Sequence, residues 1–316
     1  MKKIFTIEKG AGLRLDKFLI KELSEYSRTF LQKLIKQDLI SVNGKRAKQS
    51  YSLKIGDVVA VEIPEKEEIS LDLDASIKFE VLCEEKDFVV VNKPAGLTVH
   101  PSDNEPSGTL VNGLLAKYPD IVGVGEDRLR PGIVHRLDKD TSGVMIVARN
   151  NEMFQFLKDQ FKNRKTVKKY VALVAGVINK EKGVINFPIA RKRNMPTKQV
   201  AVRDVKQARG TVRDAVTEFK VVRHIKVDGK DFTLVEVSPK TGRLHQIRVH
   251  FSAIGHPVAG DMKYGLRDRV SIKNLNRQFL HAESLEIDVP SKIDEAGFKK
   301  MIFKAPLPKE LAELLK

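Results

Sequence analysis

Hydrophobic residues recur at helical spacing near the N-terminus and at strand spacing, or in unbroken runs, through much of the remaining chain. Leu15, Phe18, Leu19 and Leu23 share one helical face. Phe30, Leu31, Leu34 and Ile35 share a second, with Ser27 placed to cap that helix. Asn43-Gly44 predicts a hairpin turn between two short strands, and Gly56-Asp57 a second turn leading into a strand over 58–61. From Ile77 onward the pattern shortens to strand length. A strand over 88–93 is stopped by Pro94-Ala95-Gly96. Runs of apolar and β-branched residues at 144–148 and 171–175 predict buried strands, and 212–237 offers two or three more around a turn at Asp228-Gly229. Two helices interrupt them. One covers 110–118 with Leu110, Leu114 and Leu115 inward; the other covers 153–162 with Met153, Phe154, Leu157 and Phe161 on one face.

This pattern divides the chain. Residues 1–64 form a small helix-plus-hairpin module, the charged, proline-led stretch 65–76 a linker, and 77–316 a larger domain of mostly antiparallel mixed β-sheet with a few helices. The fold class is α+β, and 316 residues suffice for two domains with their own cores. No internal repeat or low-complexity tract is present. No apolar run approaches the roughly 20 residues needed to span a bilayer. Residues 1–9 carry charge without the apolar core of a secretory leader. The single cysteine, Cys83, offers neither an internal disulfide nor a zinc pair, so a cytoplasmic protein is expected.

Charge sharpens the picture. The formal net charge is +16, which points to a polyanionic partner, most often nucleic acid. Residues 1–64 hold thirteen basic against seven acidic residues, with Arg14, Lys17, Arg28, Lys33, Lys45 and Arg46 on the polar surface. Residues 191–213 hold eight basic residues against one acidic residue, Asp204. Few of these sit at helical spacing, so an exposed loop is expected there. Lys162, Arg164, Lys165, Lys168 and Lys169 form another cluster leading to Tyr170. Such clusters gain affinity by releasing counterions from a phosphate backbone. Trp is absent and Tyr numbers five, which argues against a broad base-stacking platform.

Candidate chemistry centres on 135–143, a polar loop carrying His135, Arg136, Asp138 and Asp140 directly before the buried strand at 144–148. A rigid strand can hold such a loop in fixed geometry. Hydrolase elbows and phosphate-binding glycine loops are missing, and the histidines lack metal-ligand spacing. Three residues in separate segments remain: Asp138, Tyr170 at the opening of a strand, and Arg248. Residues 241–250 read as β-like. Alternation there puts Ile247 and Val249 on one face and Gln246, Arg248 and His250 on the other. If Arg248 faces Asp138, a buried pair orients the carboxylate and keeps it ionised.

The N-terminal segment resembles the αL RNA-binding domain first known from a ribosomal small-subunit protein. The resemblance is carried by Gly12-Leu13-Arg14-Leu15-Asp16-Lys17-Phe18-Leu19, Ile40-Ser41-Val42-Asn43-Gly44-Lys45 and Leu53-Lys54-Ile55-Gly56-Asp57. From about residue 80 the chain resembles the RluA/RluD-type ribosomal large-subunit pseudouridine synthases. The matching stretches include Asn92-Lys93-Pro94-Ala95-Gly96-Leu97, 132–143, Lys169-Tyr170, 241–250, Gly255-His256-Pro257 through Asp261, and Leu280-His281-Ala282. Glu286-Ile287-Asp288-Val289 departs from the family pattern.

The resemblance implies a pseudouridine synthase fold with a central cleft, and isomerisation of uridine to pseudouridine without a cofactor. Asp138 would be the essential carboxylate. Attack on the sugar, attack on the base and abstraction of a ribose proton all stay open as its role. Tyr170 would stack on the uracil or move a proton, Arg248 would orient Asp138, and Arg136 would fill the gap left by the extruded base. Ile247 is placed at the substrate pocket, and Arg14, Lys17, Arg28, Lys33, Lys45 and Arg46 in RNA binding. The expected partner is large-subunit ribosomal RNA or a ribosomal particle, met by a monomer away from any membrane. Transfer RNA as substrate, or a noncatalytic RNA-binding assembly factor, are the competing readings.

Overall fold

The computed structural model describes residues 2–8, 12–23, 26, 28–63, 71–102, 105–290 and 297–316. Contacts divide the chain into two compact units, Met1–Glu68 and Ile69–Lys316. In the first unit, β1 (Lys2–Thr6), α1 (Leu15–Glu22), α2 (Arg28–Lys36), β2 (Ile40–Val42), β3 (Lys45–Arg46) and β4 (Val58–Glu62) succeed one another. The strands form an antiparallel sheet in the order β1-β4-β2-β3. Leu15, Leu19 and Leu23, with Leu31, Leu34 and Ile35 of α2, bury against Ile40, Val42, Val59 and Val61. The helical faces read from the sequence are therefore the ones that pack. Ser27 and the side chain of Phe30 lie outside the described residues.

Asn43 and Gly44 both take positive φ, 52° and 71°, as the two-residue turn between β2 and β3 requires. The Asn43 amide then locks the second turn. It donates to Asp57 Oδ1 and accepts from the Val58 N–H, each at 2.8 Å.

In the second unit, β5 (Glu80–Glu84), β6 (Phe88–Lys93), α3 (Leu110–Lys117), β7 (Ser142–Ala148), α4 (Asn151–Lys162) and β8 (Val167–Ala175) come first. After β9 (Lys182–Ile185), three short strands β10 (Ile189–Lys192), β11 (Met195–Ala201) and β12 (Ala208–Arg213) make a sheet of their own. Then come β13 (Thr217–Val227), β14 (Lys230–Pro239), α5 (Gln246–Ala253), β15 (Leu280–Pro290) and β16 (Phe298–Lys304). The large sheet runs β5-β6-β7-β15-β8-β14-β13-β9, with β16 also paired to β15. Among the described strands only β7 and β15 pair in parallel. The expected mostly antiparallel mixed sheet is thus present.

The unbroken apolar runs follow from burial on both faces of this sheet. On β7, Val144, Ile146 and Ala148 point to the layer covered by α4, where Met153, Phe154 and Leu157 meet them. Met145 and Val147 point to the opposite layer, under Leu110, Leu114 and Leu115 of α3. On β8, Ala172 and Val174 pack under Ile247 and Phe251 of α5. Tyr170 touches both the α3 and the α5 cores, at the seam between them.

Three expectations need correction. Residues 246–253 are a helix, not a strand. All six positions from Gln246 to Phe251 are buried, so the segment shows no polar face to reveal its period. Residues 191–213 are mainly strands, not a loop. Among the described side chains of β10–β12, only Ile189, Ala190, Ala201 and Ala208 are buried apolar positions, too few to write a strand pattern among so many charges. Tyr170 also sits within β8 rather than at its start.

Parallel pairing of β7 with β15 depends on Gly143. Its φ is +124°, and a Cβ there would lie 2.1 Å from the Ala282 carbonyl oxygen. Gly143→Ala should cost at least about 3 kcal/mol, since strained φ and a backbone clash add. Urea unfolding of the full chain checks this; a loss below about 1 kcal/mol would mean that the two strands can part without penalty.

Candidate active site

The loop between Val134 and Ser142 has no regular secondary structure, yet it is bolted to the sheet at several points. His135 Nε2 accepts the Ile146 N–H at 3.0 Å, and its ring stacks on Phe161. Lys93, fully buried at the end of β6, donates to the carbonyl oxygens of Pro94 and Leu97 at 2.7 Å and of Lys139 at 2.9 Å. Burial pushes the Lys93 ammonium down to about 7, against the pull of Asp140 and Asp138. Arg277 reaches the Asp140 carbonyl from the other side at 3.2 Å. Three carbonyls around one buried amine make a stiff joint, because each would be orphaned if the loop moved.

Asp138 projects from this loop into a cleft of about 750 Å³ at the seam marked by Tyr170. Arg248 Nη1 donates to Asp138 Oδ2 at 2.9 Å. The rest of the guanidinium grips Asp261, with Nε to Oδ2 at 2.7 Å and Nη2 to Oδ1 at 2.9 Å. Asp261 Oδ1 also accepts the N–H groups of Lys263 and Tyr264. Burial alone would lower the Arg248 pKa, but the bonds and charge of Asp261 and then Asp138 outweigh it and raise it further. The guanidinium also lies over the Tyr264 ring, 5.2 Å from its centroid. Tyr170 lines the same cleft, and its phenol is pushed up, first by lost solvation and then by the charge of Asp138.

Arg136 stands exposed on the cleft wall and donates to His100 Nε2 at 3.1 Å. The hydrogen on His100 must then sit on Nδ1, a buried atom with no partner among the described residues. Ile247 lines the cleft while packing into the α5 core. Lys162, Arg164 and Lys168 line the cleft too. Lys169, on the other face of β8, pairs with Glu236 at 3.2 Å instead. None of the described side chains of 191–213 is among the lining side chains.

In the first unit, Arg14, Lys17, Lys45 and Arg46 are exposed. Arg14 pairs with Asp16 and Arg46 with Asp38, each at 3.0 Å. The side chains of Arg28 and Lys33 lie outside the described residues. No cluster of metal-ligating side chains occurs among the described residues, and no described helix is long and apolar enough to cross a membrane.

Three contributors were missed in the sequence. Asp261 lies thirteen residues beyond Arg248 and is brought to it by the turn at 258–265. His245 lines the cleft, with Nε2 at 4.0 Å from Asp138 Oδ1, and Tyr264 stands behind it, its hydroxyl 2.6 Å from His245 Nδ1. Read as a helix, positions 245 and 248 share a face, whereas a strand sets them on opposite sides. The period was the missing signal.

A cleft whose described lining carries nine Lys or Arg side chains and one carboxylate suits a polyanion. Residues 87–253 match the RNA pseudouridylate synthase family, and residues 13–59 match the S4 domain. The chain is 41% identical to the uncharacterised RNA pseudouridine synthase YlyB of Bacillus subtilis, over 98% of this chain and 95% of that one. It is 36% identical to the ribosomal large subunit pseudouridine synthase D of Nitrosomonas europaea, over 96% and 84% of the two chains. The structure of human RNA pseudouridylate synthase domain containing 1 superposes with a TM-score of 0.55 at 26% identity, over 76% of this chain and 95% of that one. The chain belongs to the RNA pseudouridylate synthase family, enzymes that isomerise uridine in RNA.

Removing the cation exposes what the triad holds. Arg248→Met strands Asp261, whose side chain is 0% exposed, without a counter-charge. The expected loss of stability is about 3–5 kcal/mol, and Arg248→Met with Asp261→Leu should regain most of it. Chemical denaturation decides; equal losses in the single and double variants would show that the pair is not what the site rests on.

Proposed function

We propose that this enzyme converts specific uridines of large-subunit (23S) ribosomal RNA to pseudouridine, with Asp138 as the catalytic carboxylate. The observation that carries the reading is the setting of Asp138: it is the one acidic side chain of the described cleft lining, and Arg248 holds one of its oxygens. Bases inside a duplex cannot reach such a floor, so the uridine must swing out, at a cost of a few kcal/mol that is least in loops and bulges. The basic wall takes the flanking phosphates. Arg136 then occupies the space the base has left, and Tyr170 stacks on the uracil or takes part in moving its C5 proton. Ile247 closes the apolar side of the pocket. The isomerisation moves one bond within one nucleotide and is redox-neutral, so it calls on no cofactor.

Residues 1–64, joined through 65–76, serve in this reading as a separate RNA-docking domain. The match to the S4 domain and the exposed Arg14, Lys17, Lys45 and Arg46 support it, with Arg28 and Lys33 assigned by sequence. Relatives named ribosomal large subunit pseudouridine synthase D favour ribosomal over transfer RNA. The protein is taken to work in the cytoplasm, as a monomer.

Two experiments test this. Asp138→Asn should abolish pseudouridine formation in ribosomal RNA from cells lacking the protein, while affinity stays within about threefold, because one carboxylate adds little to phosphate binding. Turnover by that variant would remove Asp138 from the chemistry. Deleting residues 1–64 should weaken RNA binding and flatten its salt dependence, by about 0.7 to 0.9 in log–log slope for each phosphate no longer bound. An unchanged slope would mean that the N-terminal unit does not touch RNA.

A further inference from the structure

His245 holds a backbone conformation that needs explaining. Its φ is +57° and its ψ 21°, at the residue before α5, and its side chain makes no capping bond to the helix. Histidine adopts this left-handed region at a cost that Gly or Asn largely avoids. The side chain is used elsewhere. Nδ1 lies 2.6 Å from the Tyr264 hydroxyl, and that hydroxyl oxygen accepts the Gln199 N–H of β11 at 3.0 Å. With Gln199 donating into it, the phenol can turn its own hydrogen to Nδ1. Burial pushes Tyr264 up to about 12 and His245 down to about 4, although Asp138 pulls His245 upward, so a neutral phenol faces a neutral imidazole. In that tautomer the imidazole hydrogen sits on Nε2. That atom stands at the cleft, 4.0 Å from Asp138 Oδ1, beyond hydrogen-bond reach.

We propose that His245 is a further catalytic residue, whose Nε2–H donates a hydrogen bond to a carbonyl oxygen of the uracil as negative charge gathers on the ring. The proposal rests on the uridine isomerisation argued above. In net terms the N1–C1′ bond breaks, C5 bonds to C1′, the C5 proton is lost and N1 gains one. Each of the three roles open to Asp138 passes through a ring carrying extra negative charge on its carbonyl oxygens. A fixed N–H aimed at that charge lowers the barrier without giving up its proton. Asp138 and Asp261 take three of the five Arg248 N–H groups and hold the guanidinium to the two carboxylates. The Gln199–Tyr264 relay holds the tautomer that makes His245 a donor on the cleft side.

The test uses the full chain and a large-subunit ribosomal RNA transcript carrying tritium at uridine C5, with tritium release as the readout. His245→Asn keeps a residue at ease with positive φ but lacks the reach of Nε2. It should fold, keep KM within about threefold and lose about 100-fold in kcat. His245→Gln, whose amide nitrogen reaches further, should regain at least about tenfold of that loss. Imidazole 15N shifts should show hydrogen on Nε2 in the native protein and a move toward Nδ1 in Tyr264→Phe. A His245→Asn enzyme with kcat within about threefold of native, a loss confined to KM, or a native imidazole protonated on Nδ1 would each overturn the proposal. Absence of tritium release from the native protein would instead sink the underlying ribosomal RNA reading, and the proposal with it.

Discussion

A single guanidinium organises the site. Arg248 divides its donors between a buried carboxylate, Asp261, and a cleft-facing one, Asp138. Two carboxylates close together would repel each other, and one cation between them turns that repulsion into a rigid bridge. The bidentate grip is spent on the partner that never meets solvent. Asp138 receives a single bond, which fixes one oxygen and leaves the other facing the cleft. Such a bridge adds little net stability, because desolvating three charges is costly. Its value is geometric.

The bridge works only because both ends are anchored by different physics. Arg248 rides on α5, a helix buried on every side, whose Ile247 and Phe251 press into one core and whose Val249 presses into another. Gln246 and His250 on the same helix are satisfied internally, through Thr241, Thr217, Val216 and Phe187. Asp138 sits on a loop without regular structure, where buried polar side chains replace a hydrogen-bond ladder. Lys93, Arg277 and His135 together do for the loop what strand pairing does for β7. Loops of this kind keep irregular backbone where a helix or strand could not present a carboxylate to the cleft.

Charge is distributed for a long, flexible anion rather than a small one. The nine basic side chains come from the Asp138 loop and the segment before it, from α4 and the turn after it, from β8, and from α5 and the segment before it, so they surround Asp138 on several sides. A phosphate chain can follow that ring while one base descends to the floor. The face of β8 decides membership: Lys168 and Tyr170 look into the cleft, and Lys169 looks away to Glu236. The charge-dense strands β10–β12 contribute no lining side chain, yet β11 reaches the site through one backbone N–H, Gln199 to Tyr264.

Sequence alone determined much of this protein. Unbroken apolar runs at β6, β7 and β8 announced strands buried on both faces, because two-sided burial removes alternation. Asn43-Gly44 announced its hairpin, because two successive positive φ angles admit few other pairs. The His-Arg-Leu-Asp loop singled out Asp138 by its residues and by resemblance, and the fold sets that carboxylate in the cleft. What only the tertiary structure decided lies in α5 and beyond it. A helix buried all round carries no amphipathic signature, so 246–250 passes for a strand, and that reading sets His245 and Arg248 on opposite sides. Asp261 and Tyr264 become visible only when the turn at 258–265 folds back on α5. Their partnership with Arg248 and His245 is a contact across space, and hydrophobic periodicity, a local quantity, does not encode it.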